Sequence, residues 1–503
     1  MRAFTMTALA LSTTLLGSGV ATARKVTLPP PPPKPVVNPA FATSTVADWN
    51  VVPPATTEPT FKPPVAKRLK LKNGIAVLVI ENHALPIVSM NLVVAGAGSS
   101  RDPAGKGGLA VLAADMLDEG AGGLTSLAIA NETDRLGAGI VVGANVDTAS
   151  MSIQTLAKTL DQTVELATKI VTQPTFDPKE LARVQGDVAT ELELRRDRPR
   201  EVAQLMLDAA LYGATTPYGH PSGGTRDEMK ALTLADVTAF YTQHWTPAAM
   251  TLVVVGDVST AALKAKLDAT LGAWKPEGGV APSRLVVTPA KPGKRLLLVD
   301  RSGAAQSDVR IGLLGMPRKD RRYFQLEVLA TALGGSFTSR LNHRLREELG
   351  ITYGIGSAAR YRVASSAFQI NTAIVTAETA HGLAEIFQIV DGLATAAIPP
   401  AELTKAKENN IRALPAMFET NASTAGTIAE LAVAGLPDNF YATYASNVRK
   451  VTAADVKALA KTMIPSGRMQ ISIVGDMSVV RPELEKLKLG AVQMHDLYGV
   501  PIK

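Results

Sequence analysis

A chain of 503 residues with 46% hydrophobic and 19% charged content is long enough to bury two sizeable cores, which excludes an intrinsically disordered protein. Its lack of cysteine excludes disulfides, thiolate metal sites and a catalytic thiol. The formal charge of +7 belongs to the N-terminal end: nine of the 52 Lys/Arg and two of the 45 Asp/Glu precede residue 73, and the balanced remainder argues against nucleic acid as a partner.

Met1-Arg2, the apolar stretch Ala8–Val20 and the small residues Ala21-Thr22-Ala23 have the pattern of a cleavable export signal over residues 1–23. The protein is therefore expected outside the cytoplasm, in the periplasm first and extracellularly second. Residues 24–64 carry Pro29–Pro33, Pro35, Pro39, Pro53, Pro54, Pro59, Pro63 and Pro64, and read as an extended tether; a spacer and a docking motif for a proline-binding module both fit. No later stretch has the roughly 20 apolar residues a membrane-spanning helix needs, so no transmembrane segment is expected.

The body opens with strand-like Ile75–Ile80 and Ile87–Val94 around the turn-prone Glu81-Asn82-His83. Helical periodicity follows over Gly108–Leu117, Ser126–Leu136 and Leu156–Val171, with a strand pair at Gly139–Thr148 and Ala149–Gln154. Helices dominate Pro178–Leu211, and Thr233–Trp245 leads into the β-branched run Thr251–Val255. These elements predict an α+β domain.

The same plan then recurs. Laid without gaps, Thr233–Ser259 and Thr452–Ser478 share ten of 27 residues at an offset of 219, including Ala235-Asp236-Val237 with Ala454-Asp455-Val456 and Val255-Gly256-Asp257 with Val474-Gly475-Asp476. Similar offsets pair Val111-Leu112-Ala113 with Val328-Leu329-Ala330, and Pro178, Glu180 and Leu181 with Pro400, Glu402 and Leu403. The expected organisation is two related α+β domains, 65–275 and 295–487, joined by a Gly/Pro/Lys-rich linker over 276–294 and followed by a tail over 488–503.

The chain carries Leu71-Lys72-Asn73-Gly74, Gly107-Gly108-Leu109-Ala110, Pro217-Tyr218-Gly219-His220-Pro221, Gly334–Leu341 and Leu345–Tyr353. Together these motifs resemble those of the insulinase-type (M16) peptidases, whose zinc motif is inverted. The resemblance covers nearly all of the body and implies two sequence-related repeats, each a mainly antiparallel sheet packed with helices, pairing clam-like with a homologous subunit. In active members the first helix carries H-x-x-E-H, whose two histidines one turn apart bind zinc while the glutamate polarises the metal-bound water. This sequence has Val111-Leu112-Ala113-Ala114-Asp115 in that window, so Val111, Ala114 and Asp115 stand at the three functional positions.

The family's third ligand, a glutamate on a later helix, falls by spacing on Glu191, or on Glu193 if the register slips by two; an acidic solvated face accounts for both equally well. Arg346 and Tyr353 match the place where the family's second domain offers a guanidinium and a phenol to the bound peptide; an ion pair with Glu347 or Glu348 and a packed tyrosine are the structural alternative. No two of the six histidines lie four residues apart, and no G-x-S-x-G elbow or phosphate-binding loop occurs in the body.

The resemblance thus implies a non-catalytic, substrate-binding subunit of a zinc peptidase acting on exported peptides or small unfolded proteins. No cofactor is expected in this chain, and zinc is expected in a partner homologue. A stand-alone peptide-binding or scaffold protein of the cell envelope is the alternative. A peptidase with an unusual metal site at Asp115 and Glu191 is the third possibility.

Overall fold

The computed structural model describes residues 61–276, 278–279, 285 and 295–502. The export signal, and nearly all of the tether and linker, lie outside the described residues. The first half runs β1 (Lys67–Lys70), β2 (Ala76–Glu81), β3 (Ile87–Ala95), α1 (Leu109–Asp115), a short hairpin of β4 (Gly120–Ala121) and β5 (Leu124–Thr125), α2 (Ser126–Arg135), β6 (Gly139–Ala144), β7 (Thr148–Leu156), α3 (Leu160–Thr172), α4 (Pro178–Leu194), α5 (Pro199–Tyr212), α6 (Arg226–Ala231), α7 (Leu234–His244), β8 (Met250–Gly256) and α8 (Thr260–Ala269). The second half begins with β9 (Arg295–Asp300), β10 (Gln306–Leu314), α9 (Tyr323–Ala330), α10 (Arg340–Asn342) with a π-helical continuation to Glu348, β11 (Thr352–Tyr361) and β12 (Ser366–Val375). It ends with α11 (Thr379–Thr395), α12 (Pro400–Ala413), α13 (Asn421–Ala434), α14 (Tyr444–Lys450), α15 (Ala453–Met463), β13 (Gln470–Gly475), α16 (Met477–Lys486) and β14 (Ala491–His495).

The repeat survives at the level of strand order. One six-stranded sheet runs β1-β2-β8-β3-β7-β6 and the other β14-β9-β13-β10-β12-β11, each mainly antiparallel. The identical residues of the repeat do identical work: Thr233 with Asp236 and Thr452 with Asp455 form matching capping boxes at the starts of α7 and α15, satisfying N–H groups that a helix end leaves bare. The outer strand differs, since β1 enters from the N-terminal side whereas β14 comes from beyond α16. The stretch expected as a tail over 488–503 therefore belongs to the second sheet, pairing Ala491–His495 with Arg295–Val299. The helix expected from Leu156 starts at Leu160, because Leu156 still pairs with Ile87 in the sheet.

The two halves are also not self-sufficient. Both faces of β3 and β8 are buried, which requires helices on both sides. The second half's α13 lies on β3 and β8, anchored where Asn421 donates to the Ile87 carbonyl at 3.0 Å and accepts from Asn82 at 2.8 Å. Reciprocally, α5 of the first half lies on β10 and β13, where Val202, Ala203 and Met206 cluster with Leu297, Val299 and Val474. Each sheet is closed by the other half's helix.

Tyr218 closes this exchange at its end. Its ring is buried, and its hydroxyl donates to Asp147 in the β6–β7 turn at 2.6 Å and accepts from Ala364 N in the β11–β12 turn at 3.0 Å. Arg362 in the same turn pairs with Asp208 of α5 at 3.0 Å and lies over the rings of Tyr212 and Tyr218. Among the described residues, no single helix is long and apolar enough to cross a membrane.

Tyr218→Phe removes a buried hydroxyl that serves one hairpin turn from each half. It should lower unfolding stability by about 1–3 kcal/mol, read as a lower urea midpoint. An unchanged midpoint would show that the two turns are held by other contacts.

Candidate functional site

The turn into α1 is built from residues that leave almost no free volume. Asp102 accepts from Gly108 N and Ala110 N, both at 2.8 Å, and so caps the helix. Gly108 has φ 87° and a side chain there would meet the Gly223 carbonyl at 2.6 Å; one on Gly107 would meet the His220 ring at 2.3 Å. His220 in turn sits 3.2 Å from Glu228, whose carboxylate also closes the capping box of α6. The Gly107-Gly108 and His220 motifs thus fit together in space.

On α1 itself, Val111 and Asp115 share a half-buried face one turn apart, and Ala114 is fully buried in the core. Valine and alanine offer no donor atoms to a metal. Burial, with Asp118 and Glu119 close by, pushes the Asp115 carboxyl up to about 6. The opposing helix α4 sends Arg183 into this acidic end, where it pairs with Glu119 and reaches Glu180 at 2.8 Å and Asp187 at 3.0 Å.

The two candidate third ligands are engaged elsewhere. Glu191 is exposed and its carboxylate is held by Arg198, which keeps it below the usual carboxylate range. Glu193 contacts Arg196 at 3.4 Å and Arg226 at 3.2 Å, and accepts from the Tyr498 hydroxyl at 2.9 Å. Among the described residues no three His, Cys, Asp or Glu side chains are grouped to hold a metal ion. The donor set of Asp115 with Glu191 lacks the nitrogen or sulfur ligands that zinc takes, so these residues do not fit it.

The second half presents a different picture at Arg346 and Tyr353. Arg346 lies in the π-helical turn, its guanidinium 4.1 Å above the Phe337 ring and 5.3 Å from the Tyr353 ring, with Glu347 at 3.4 Å. Tyr353 is 87% exposed and Phe337 61% exposed. Tyr353 is therefore not packed in the sheet, and Arg346 forms a stacked cation between two solvent-facing rings.

The frame beneath them is tied together by hydrogen bonds. Asn342 donates to the Ile355 carbonyl at 2.7 Å and accepts from Ile355 N at 3.1 Å, and bidentate pairs join Arg340 to Glu402 and Arg344 to Glu385. Phe337 was not singled out by sequence reasoning. Its place in the Gly334–Leu341 motif, nine residues before Arg346, is the available signal.

Asp115 supplies a pH test. Its folded carboxyl titrates above the ordinary value of 3.8, so the folded state binds the proton more tightly and stability falls as pH rises from about 4 to about 6. Asp115→Asn should stabilise the protein above pH 6, by about 2–3 kcal/mol at most, and give no gain below pH 4. A gain that is independent of pH would remove the ionised carboxylate as its cause.

Both the sequence and the fold have known counterparts. Residues 76–224 match the insulinase (peptidase family M16) model and residues 231–410 match the M16 inactive-domain model. An uncharacterised zinc protease of Mycobacterium leprae is 29% identical over 68% of this chain and 76% of its own length. A non-peptidase homologue from Helicobacter pylori is 23% identical over 80% of this chain and 92% of its own. The crystal structure of a peptidase M16 inactive domain from Pseudomonas fluorescens superimposes with a TM-score of 0.75 at 27% identity, covering 82% of this chain and 97% of that one. With no H-x-x-E-H motif in the sequence and the fold retained in both halves, the protein belongs to the insulinase (M16) peptidase family as a non-catalytic homologue.

Proposed function

We propose that this chain is the substrate-binding subunit of a heteromeric M16-type zinc peptidase. A homologue carrying H-x-x-E-H supplies the zinc, and this chain supplies a wall of the peptide site. The observation that carries this is the asymmetry between the halves. α1 carries no histidine and a single carboxylate, Asp115, whereas the half-buried Arg346 and the exposed Tyr353 sit on a hydrogen-bonded frame. An Arg fork can donate to peptide carbonyls and a phenol can donate to a developing oxyanion, and neither needs a metal in its own subunit. Phe337 adds an exposed apolar ring against which a peptide side chain can pack. The substrates proposed are exported peptides or small unfolded proteins, and the place is the periplasm; the N-terminal sequence over residues 1–23 supports that location.

The affinity-tagged protein should co-purify with an M16 homologue bearing an intact H-x-x-E-H motif, and alone it should hold no stoichiometric zinc and cleave no unstructured peptide. In the reconstituted pair, Arg346→Ala or Tyr353→Phe should lower peptide hydrolysis about a hundredfold, the effect of losing one transition-state donor, with assembly and zinc content unchanged. Unchanged turnover in both variants, or the lack of any zinc-competent partner, would favour a stand-alone binding or scaffold role instead.

A further inference from the structure

The face of the second sheet that lies under α5 is unlike its counterpart in the first half. In the register of the strands, Arg310 is opposite Asn371 and Ser472, and Gly312 opposite Gln369 and Gln470, so all of these point to the same side. That side carries α5: Ser472 donates to the Ala203 carbonyl at 2.6 Å, and a side chain on Gly312 would meet Leu207 at 3.1 Å. At the offset of 219, the first half has Asn91, Ser150 and Ser152 where the second has Arg310, Gln369 and Asn371. The fold accepts small neutral side chains at these places, and the second half has exchanged them for a cation and two long amides.

Their polar atoms are not used up. Arg310 is only 9% exposed, yet its guanidinium donates through Nη1 alone, to the backbone carbonyls of Val309 at 2.9 Å and Thr372 at 3.5 Å. No carboxylate among the described residues lies within ion-pair distance of it; Asp308, two residues away on the same strand, attracts it electrostatically and is itself contacted by Arg200 at 3.5 Å. Both ends of the Gln369 amide and the Asn371 oxygen are buried without a partner. A buried cation and orphaned amides are costly unless something satisfies them.

The charge around them is positive. Arg200, Arg301 and Arg360 all act on the Arg310–Asp308 pair, and the side chains of Arg200 and Arg360 are exposed at the rim. Beside Asn371 and Gln369 on the edge strand β11 stand Gly356 and Ala358. Ala358 is exposed, and a side chain built at Gly356 would meet open space. The sheet is thus open on this side beside the half-buried Asn371, and the Nε and Nη2 of Arg310 make no hydrogen bond to the described residues.

We propose that Arg310, with Gln369 and Asn371, forms a binding site for a peptide carboxylate, which Arg200 and Arg360 attract to the rim. The unused edge of the guanidinium takes the carboxylate as a two-pronged acceptor, the Gln369 amide donates to it, and the Asn371 oxygen accepts a peptide N–H. The site lies in this subunit alone; only the peptide as the carboxylate's source rests on the function proposed above.

The test is calorimetric titration of the full mature protein at low salt with three probes: acetyl-Ala-Ala-Ala as the free acid, the same peptide as its amide, and acetyl-Ala-Glu-Ala amide. The free acid should bind roughly tenfold or more tighter than its amide, and Arg310→Gln should abolish that preference. Binding of the Glu peptide as tightly as the free acid assigns the site to acidic side chains; preference for the free acid alone assigns it to the terminal carboxylates of peptides. Should Arg310→Gln fail to fold, Arg360→Gln at its exposed position should still weaken the acid several-fold. Equal affinity for acid and amide, or a preference that survives both substitutions, overturns the site. These titrations need no partner, so their failure is separate from failure to find a zinc-bearing homologue.

Discussion

The constraint on which the rest depends is that neither sheet can cover itself. A sheet whose strands are apolar on both faces must be packed on both, and in each half of this protein one of those layers comes from the other half. The exchange of α5 for α13 supplies the missing layers. Long-range contacts also position other parts of the structure. The turn that enters α1, the hairpin tips that meet at Tyr218 and the polar floor beneath α5 are all placed by contacts between segments far apart in sequence, the last two by contacts that cross from one half to the other.

Much of this was legible in the sequence. The Thr-x-x-Asp boxes, the Val-Gly-Asp strand ends and the offset near 219 mark a duplicated α+β unit; β2, β3, β7 and β8 lie close to the strand-like runs that predict them, while β6 ends at Ala144, short of Thr148, because Asn145–Asp147 form the hairpin turn. What could not be read is whose helix covers which sheet, because an amphipathic pattern reports that a face is buried and not what buries it. β14 was missed for a related reason. Ala491–His495 is short and half exposed, and its pairing with β9 depends on a neighbour nearly 200 residues upstream.

The site was partly legible. The substitution of donor-free side chains at Val111 and Ala114 is chemistry visible in letters alone, and so is the spacing of Arg346 from Tyr353. The stacking of Arg346 on Phe337 depends on a π-helical turn, which no local propensity announces. The capture of Glu191 by Arg198 and of Glu193 by Tyr498 likewise depends on which side chains the fold brings alongside α4. The glycines and His220 carry a further lesson. They interlock to shape the entry to α1, so they serve the architecture whether or not the helix binds a metal, and a sequence holding them can be read as a fold without being read as a catalyst.

The exchange of helices has a temporal consequence. The first sheet is complete at Gly256, 165 residues before Asn421 of the helix that covers it, so on the ribosome the sheet is made long before its cover. At synthesis rates of roughly 5–20 residues per second the wait is on the order of 10–30 s. During that interval the apolar undersides of β3 and β8 are bare, and a nascent polypeptide in this state is a client for any holding chaperone that meets it.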